Sequence, residues 1–128
     1  MKYALLIYSQ IDADEYGAVL DATRQADDEN GPWVKYTRAA RDAGVLVAAE
    51  QLTHDETATC VRFVPGDRMV TDGPFLETKE HLLGFYLVDV EDLDAALDWA
   101  NRMPGHPGQT IEVRPALSGL PWHRALVD

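Results

Sequence analysis

Asp72 is the side chain in this sequence best placed to do chemistry. It follows a short apolar stretch and precedes Gly73-Pro74-Phe75, so its carboxylate lies where a strand ends and a turn begins. A carboxylate at such a junction can accept backbone N–H groups and fix the turn. The same carboxylate could act as a general acid or base at the mouth of a cleft, with Phe75 as an apolar wall. Both interpretations stay open, and Asp72 is the predicted catalytic residue if the protein is an enzyme.

Further side chains are candidates for binding a ligand in such a cleft. Arg62 lies in an alternating strand, and a half-buried arginine needs either a carboxylate partner within the chain or an anionic ligand. Tyr8 and Tyr86 offer hydroxyl groups to the same space, although aromatic packing alone explains both. His54 lies in a polar loop after a strand and could reach the cleft. With Phe75, these residues form the predicted substrate-binding set.

The sequence predicts no metal and no cofactor. Its single cysteine, Cys60, cannot form an intramolecular disulfide, and its histidines follow no spacing typical of a zinc site. A metal would require distant residues that the fold brings together. Glu77 and His81 are four residues apart, but the charged residues between them favour a solvated helical turn. The four histidines are His54, His81, His106 and His123.

The charge balance excludes several classes of partner. The 128-residue chain carries 22 acidic and 11 basic residues, which give a net charge of −11 with neutral histidine. Such a field repels nucleic-acid phosphates and anionic lipid surfaces. No apolar run approaches the roughly 20 residues that span a bilayer. Residues 1–8 hold an apolar run too short for a secretory signal, so we expect a cytoplasmic protein that binds neither nucleic acid nor membrane.

Hydrophobic periodicity predicts six strands and three helices. We expect strands near 2–8, 45–49, 59–64, 68–71, 82–88 and 110–113, and helices near 13–28, 32–43 and 91–100. Pro65-Gly66-Asp67 is a tight-turn signal, so the third and fourth strands form a small hairpin insertion. The remaining order is βαββαβ. In an antiparallel sheet this order predicts a ferredoxin-like α+β fold with both helical layers on one face.

The predicted arrangement leaves the second face of the sheet without helices. The strands near 2–8, 45–49 and 82–88 carry large apolar side chains in both alternating phases, so that face would expose more apolar surface than monomers tolerate. A second copy of the sheet is the simplest cover. We therefore expect a homodimer whose helix-free sheet faces pack into an α+β barrel. Residues 1–116 form the single domain, and the tail 117–128, which contains Trp122, packs on the domain or on the partner subunit.

A set of co-linear motifs resembles a known family. Val70-Thr71-Asp72-Gly73-Pro74-Phe75, followed by Glu77-Thr78-Lys79-Glu80 and Gly84-Phe85-Tyr86, is similar to the signature of the DGPF branch of the YCII-related family. Further matches at Leu5-Leu6-Ile7-Tyr8, Ala43-Gly44-Val45-Leu46 and Ile111-Glu112-Val113-Arg114-Pro115 extend the resemblance over residues 1–116. The resemblance implies the dimeric α+β barrel. It also implies that most relatives have no established activity, while some are dehalogenating or lyase-like enzymes.

The chain departs from the active site that the resemblance implies. That site is a histidine–aspartate pair, whose positions fall near Trp33 and Met103 here. Neither side chain transfers a proton, so the interpretation as an enzyme loses its main support. Relatives in the DGPF branch are often encoded near sigma factors, which implies a regulatory setting. Two hypotheses remain: a homodimeric module that binds a small molecule near Asp72 or regulates a partner, and a lyase or dehalogenase that uses Asp72 as acid or base.

Overall fold

The computed structural model describes residues 1–126 of the chain. Its strands are β1 (Lys2–Ser9), β2 (Leu46–Gln51), β3 (Thr59–Val64), β4 (Asp67–Asp72), β5 (His81–Asp89) and β6 (Gln109–Pro115). Its helices are α1 (Ala13–Ala26), α2 (Pro32–Asp42) and α3 (Leu93–Asn101), with 3₁₀ turns at Asp55–Thr57 and Pro121–Leu126. Across these residues no helix combines the length and apolar composition needed to cross a membrane.

Four strands form an antiparallel sheet in the order β2-β5-β1-β6. β5 and β1 occupy its centre, where Leu5 pairs with Tyr86. This order, with α1 and α2 before β2 and α3 before β6, is that of a ferredoxin-like βαββαβ fold. β3 and β4 form a separate two-stranded sheet in which Val61 pairs with Val70. The predicted α+β class and the hairpin insertion are confirmed.

Local chemistry sets where the helices begin. The Asp12 carboxylate accepts the Glu15 N–H ahead of α1, and the Asp92 carboxylate accepts the Ala95 N–H ahead of α3. Both aspartates lie where the positive end of the helix dipole favours negative charge. Pro32 occupies the first turn of α2, where its missing N–H breaks no helical hydrogen bond. These residues fix the points at which the helices cross onto the sheet.

The core lies between one face of the sheet and helices α2 and α3. Its members are Tyr3, Leu5, Tyr36, Ala40, Val88, Val90, Ala96, Trp99 and Met103. Leu5 and Val88, on the two central strands, are completely buried. Among the described residues, α1 contributes none to this cluster and buries only Tyr16. Helix α1 therefore covers the sheet without packing closely against it.

None of the α-helices within residues 1–126 packs on the opposite face of the sheet. Leu6 and Phe85 are cross-strand neighbours there, and Ala4 and Leu87 form the next pair along the same face. The hairpin and the tail add further apolar side chains that are exposed: Val61, Phe63, Met69, Val70, Leu117, Trp122 and Leu126. Trp122 keeps 65% of its surface exposed, and residues 127 and 128 of the predicted tail lie outside the described residues.

The segment 77–80 forms no helical turn, and that prediction was wrong. His81 instead begins β5, paired with Ser9 at the end of β1. The Thr78 hydroxyl donates to the Glu80 carbonyl, and the Gln10 side-chain amide donates to the Glu80 carboxylate at 2.9 Å. The segment is thus a non-helical connection into β5, and strand pairing fixes His81 on the sheet.

We expect Gly84→Ala to destabilise the fold by about 1–3 kcal/mol, because overpacking costs that much in a close-packed interior. A Cβ at Gly84 would lie 2.9 Å from the Glu50 carbonyl oxygen on the adjacent strand β2. Urea unfolding measures the change in free energy. Gly17→Ala in α1 is the matched control, because a Cβ there meets nothing within 4 Å and should stabilise the helix by about 0.5–1 kcal/mol. Equal unfolding midpoints for Gly84→Ala and the parent protein would contradict the prediction.

Candidate functional site

A cavity of about 510 Å³ separates α1 from the helix-covered face of the sheet. This volume lies in the range of pockets that bind small molecules. The side chains of α1 form one wall, and residues of β1, β2, β5 and β6 form the opposite wall. The lining residues are Ile7, Ser9, Ile11, Glu15, Tyr16, Val19, Leu20, Thr23, Trp33, Ala49, Glu50, Gln51, Leu83, Gly84, Tyr86, His106 and Gln109. We call this space the α1 cavity.

Stacked aromatic rings form part of the cavity wall. Trp33 stacks on Tyr86 with ring centroids 6.0 Å apart and an interplanar angle of 22°. Tyr36 packs edge-on against both rings, at 5.9 and 5.3 Å. The Thr37 hydroxyl donates to the Trp33 carbonyl, so the Tyr86 hydroxyl must donate to Thr37 Oγ1, 2.6 Å away. Tyr86 therefore offers the cavity an aromatic ring, and its hydroxyl proton is already engaged.

The charged groups of the cavity wall are acidic. Glu15 and Glu50 line the cavity, and no lysine or arginine of residues 1–126 does so. The Gln51 side-chain amide donates to the Tyr16 hydroxyl at 3.0 Å, and this hydroxyl donates to the Leu52 carbonyl at 2.7 Å. These bonds fix Tyr16 between α1 and the end of β2. The two carboxylates favour a neutral or positively charged ligand over an anion.

A second polar arrangement lies at the end of β1, beside the cavity. His54 is 5% exposed, with Nε2 3.1 Å from the Ile11 carbonyl oxygen and Nδ1 3.3 Å from the Glu56 backbone nitrogen. The Asp55 carboxylate lies between two imidazoles, 3.2 Å from His54 Nδ1 and 2.9 Å from His81 Nδ1. The two imidazole centroids are 4.4 Å apart. We call His54, Asp55 and His81 the His–Asp–His cluster.

The predicted substrate-binding residues lie in different parts of the structure. Tyr86 lines the α1 cavity, whereas Tyr8 lies on the other face of β1 from the lining residues of that strand. Arg62 is exposed on the hairpin, and Phe75, which follows the hairpin, is 76% exposed. His54 belongs to the His–Asp–His cluster. Within residues 1–126 these side chains share no common pocket, and their roles in binding stay predictions.

Asp72 ends β4 opposite Thr59 and is exposed. Its carboxylate makes no hydrogen bond to any of residues 1–126 in this structure. Other groups hold the turn: the Gly73 N–H donates to the Ala58 carbonyl at 2.6 Å, and the Cys60 thiol donates to the Gly73 carbonyl at 3.2 Å. Gly73 has a φ of 91°, which favours glycine. The geometry of this turn therefore does not depend on the Asp72 carboxylate.

Sequence reasoning missed the cavity wall and the assembly of the cluster. The sequence indicates a helix near 13–28, and its narrow apolar stripe of Tyr16, Val19 and Leu20 is one wall of the cavity. His81 was assigned to a solvated turn, yet its pairing in β5 brings its imidazole to Asp55. The adjacency of His54 and Asp55 was the available signal, but nothing in the spacing indicated His81 as their neighbour.

We expect Tyr36→Phe to reduce the loss of stability that the protein undergoes at alkaline pH. Burial first, and the neighbouring Tyr86 second, raise the pKa of Tyr36 well above its ordinary value of 10.0. Unfolded Tyr36 ionises near pH 10 while the folded residue stays neutral, so its contribution is complete below that pH and declines above it. Between about pH 9 and pH 11 the free energy of unfolding should fall less steeply with pH in Tyr36→Phe than in the parent protein. The two slopes should differ by at most about 1.4 kcal/mol per pH unit.

Urea unfolding at several pH values measures this slope. At neutral pH, Tyr36→Phe should cost about 1–2 kcal/mol, because the Tyr36 hydroxyl donates to the buried Trp99 carbonyl at 2.8 Å. If the free energy of unfolding declines equally with pH in the parent and in Tyr36→Phe, then Tyr36 is not the group responsible for the decline.

Comparison with known proteins identifies the family. The family model of the YCII-related domain matches residues 1–118. A protein of Rhizobium meliloti (strain 1021), which is named only as uncharacterised, is 37% identical over 117 residues, or 90% of this chain and 91% of the relative. Assignment to the DGPF branch stays a prediction based on the motif around Asp72. Because the match covers almost the whole chain, the protein belongs to the YCII-related family.

Proposed function

We propose that this protein binds a small, largely apolar molecule in the α1 cavity. The observation that carries the proposal is a space of about 510 Å³, lined mainly by apolar and aromatic side chains, within a sheet–helix layer that is otherwise well packed. Pockets of this size and lining are where proteins usually bind small ligands. An aromatic or aliphatic ring system would fill the space between the α1 stripe and the stacked Trp33 and Tyr86 rings.

The charges of the wall support a neutral or cationic ligand. Glu15 and Glu50 offer acceptor oxygens, while Ser9 and Gln109 offer further hydrogen-bonding groups. The anionic substrate considered from the position of Arg62 would find no lysine or arginine of residues 1–126 in this lining. A ligand with one or two donor groups on an apolar body fits the wall better.

The residues of the cavity wall support ligand binding without catalysis. Trp33, at one position of the family's implied histidine–aspartate pair, lines the cavity, and Met103, at the other, is buried in the core. Neither side chain transfers a proton. A ligand-binding or regulatory module therefore fits this chain better than a lyase or dehalogenase.

The proposal includes a homodimer formed through the helix-free face of the sheet. Leu6, Phe85 and Leu87 lie together on that face with no helix over them. Burial of apolar surface contributes roughly 25 cal/mol per Å², which favours a self-complementary contact between two such faces. Phe63 and Trp122 are exposed on the hairpin and the tail, and contact with the partner subunit would cover them too.

We expect Val19→Trp to weaken binding of a neutral aromatic dye, such as N-phenyl-1-naphthylamine, by tenfold or more. The indole would occupy part of the cavity, and a tenfold loss corresponds to about 1.4 kcal/mol. Val47→Trp is the matched control, because Val47 is 46% exposed against 50% for Val19 and lies outside the cavity lining. Dye fluorescence titration measures both affinities. Equal affinities in the two variants would rule out the α1 cavity as the dye site.

Asp72→Asn tests the alternative site in the same assay. Because Asp72 is exposed on the hairpin and lies outside the lining, the substitution should leave both the dye affinity and the free energy of unfolding within about 0.5 kcal/mol of the parent values. A large loss of binding in this variant, with Val19→Trp unaffected, would move the binding site to the Asp72 turn.

We expect the parent protein to sediment as a dimer at micromolar concentration and Phe85→Lys to sediment as a monomer. A lysine at the centre of the proposed interface would bury an unpaired ammonium group in each subunit. Leu97→Lys is the control, because Leu97 is 41% exposed on α3, away from the helix-free face. A monomeric parent protein at these concentrations would contradict the proposed dimer.

A further inference from the structure

We propose that the His–Asp–His cluster binds one divalent transition-metal ion, with Zn²⁺ as the expected occupant. Ligand atoms of His54, Asp55 and His81 all lie within 4.8 Å of one another. Two imidazoles and one carboxylate are a ligand set that suits zinc and its neighbours in the transition series, whereas magnesium and calcium prefer oxygen ligands. This inference does not depend on what occupies the α1 cavity.

The distances around Asp55 are close to those of a tetrahedral site. Zinc bonds of about 2.0–2.2 Å to nitrogen and oxygen place neighbouring ligand atoms roughly 3.3 Å apart. Asp55 Oδ1 lies 3.2 Å from His54 Nδ1 and 3.0 Å from His81 Nδ1. Two edges of a coordination tetrahedron are therefore present, and small side-chain movements would admit the ion.

The hydrogen bonds of His54 leave its ring nitrogen Nδ1 without a proton. A backbone carbonyl can only accept, so Nε2 must carry the proton that is donated to the Ile11 oxygen. A backbone N–H can only donate, so Nδ1 must accept from the Glu56 nitrogen. The single lone pair of Nδ1 is thus engaged in a long hydrogen bond of 3.3 Å, with an Asp55 oxygen 3.2 Å away. A metal ion at Nδ1 would replace this long hydrogen bond and would also attract the nearby Asp55 carboxylate.

The surroundings of His54 also match those of metal-binding histidines. Such histidines commonly donate the remote ring N–H to a backbone carbonyl, which fixes the ring and its tautomer, and the Ile11 carbonyl has this role here. His54 is buried, whereas the side chains of Asp55 and His81 are 25% and 18% exposed. Three protein ligands with one side open to solvent leave a fourth coordination position for water or a small molecule.

Metal binding is tested on the tag-free 128-residue chain after treatment with a chelator. We expect calorimetric titration with Zn²⁺ to give one ion per chain, and Co²⁺ to give the visible absorption bands of a tetrahedral complex. Asp55→Asn and His81→Gln should each weaken Zn²⁺ binding at least tenfold. His123→Gln is the matched control, because His123 lies in the tail, outside both the cluster and the α1 cavity, so this variant should bind like the parent.

A second measurement separates metal binding from a folding defect. Excess Zn²⁺ should raise the thermal unfolding midpoint of the parent and of His123→Gln, because an ion that binds only the folded state stabilises it. Folded His81→Gln should show a clearly smaller rise at the same Zn²⁺ concentration. Affinity should also fall as the pH is lowered, because protons compete for the imidazoles. Absence of stoichiometric binding by the parent, or unchanged binding in both Asp55→Asn and His81→Gln, would overturn the proposal.

Discussion

The sheet has two apolar faces but only one layer of helices, and this imbalance is the constraint on which the rest of the structure depends. The central strands carry large apolar side chains in both phases: Leu5 and Val88 lie beneath the helices, while Leu6 and Phe85 lie on the other side. Removing such surface from water is the main favourable contribution to folding and to most association. The helices cover one face, and the proposed second copy would cover the other.

The helix layer is itself uneven, and this unevenness creates the cavity. Helices α2 and α3 supply Tyr36, Ala40, Ala96 and Trp99 to the core, whereas α1 supplies none of the core cluster. Helix α1 carries three acidic residues and only a narrow apolar stripe, so it gains little from close packing on the sheet. Its buried Tyr16 anchors it through two hydrogen bonds. A ligand in the cavity would bury the remaining apolar stripe and complete the layer.

The elements of the fold could be predicted because their signals are local, whereas the site could not. Alternation in the central strands, the proline at the start of α2 and the turn between β3 and β4 each depend on a few consecutive residues. The cavity joins residues from α1 and four strands, and the His–Asp–His cluster joins a loop to the first residue of β5. Such assemblies depend on strand register, as the pairing of His81 with Ser9 shows. The turn after Asp72 could be predicted because Gly73 and Pro74 are consecutive, but the hydrogen bonds that hold it come from Gly73 and Cys60 and not from the Asp72 carboxylate.

The cavity and the cluster are adjacent and share a wall, which gives them a short physical connection. The Tyr16 ring lines the cavity on one side and lies 6.2 Å from the His54 ring on the other. Its hydroxyl donates to the Leu52 carbonyl, and the Leu52 N–H donates to the carbonyl of Leu83, another lining residue. The hydrogen bonds of Leu52 to Tyr16 and to Leu83 thus connect the start of the loop that carries His54 to the cavity wall. An ion that fixes His54 would restrict this loop, and a ligand pressing on Tyr16 would act on the same loop from the other side. The described contacts between the cavity wall and the cluster are therefore few and local.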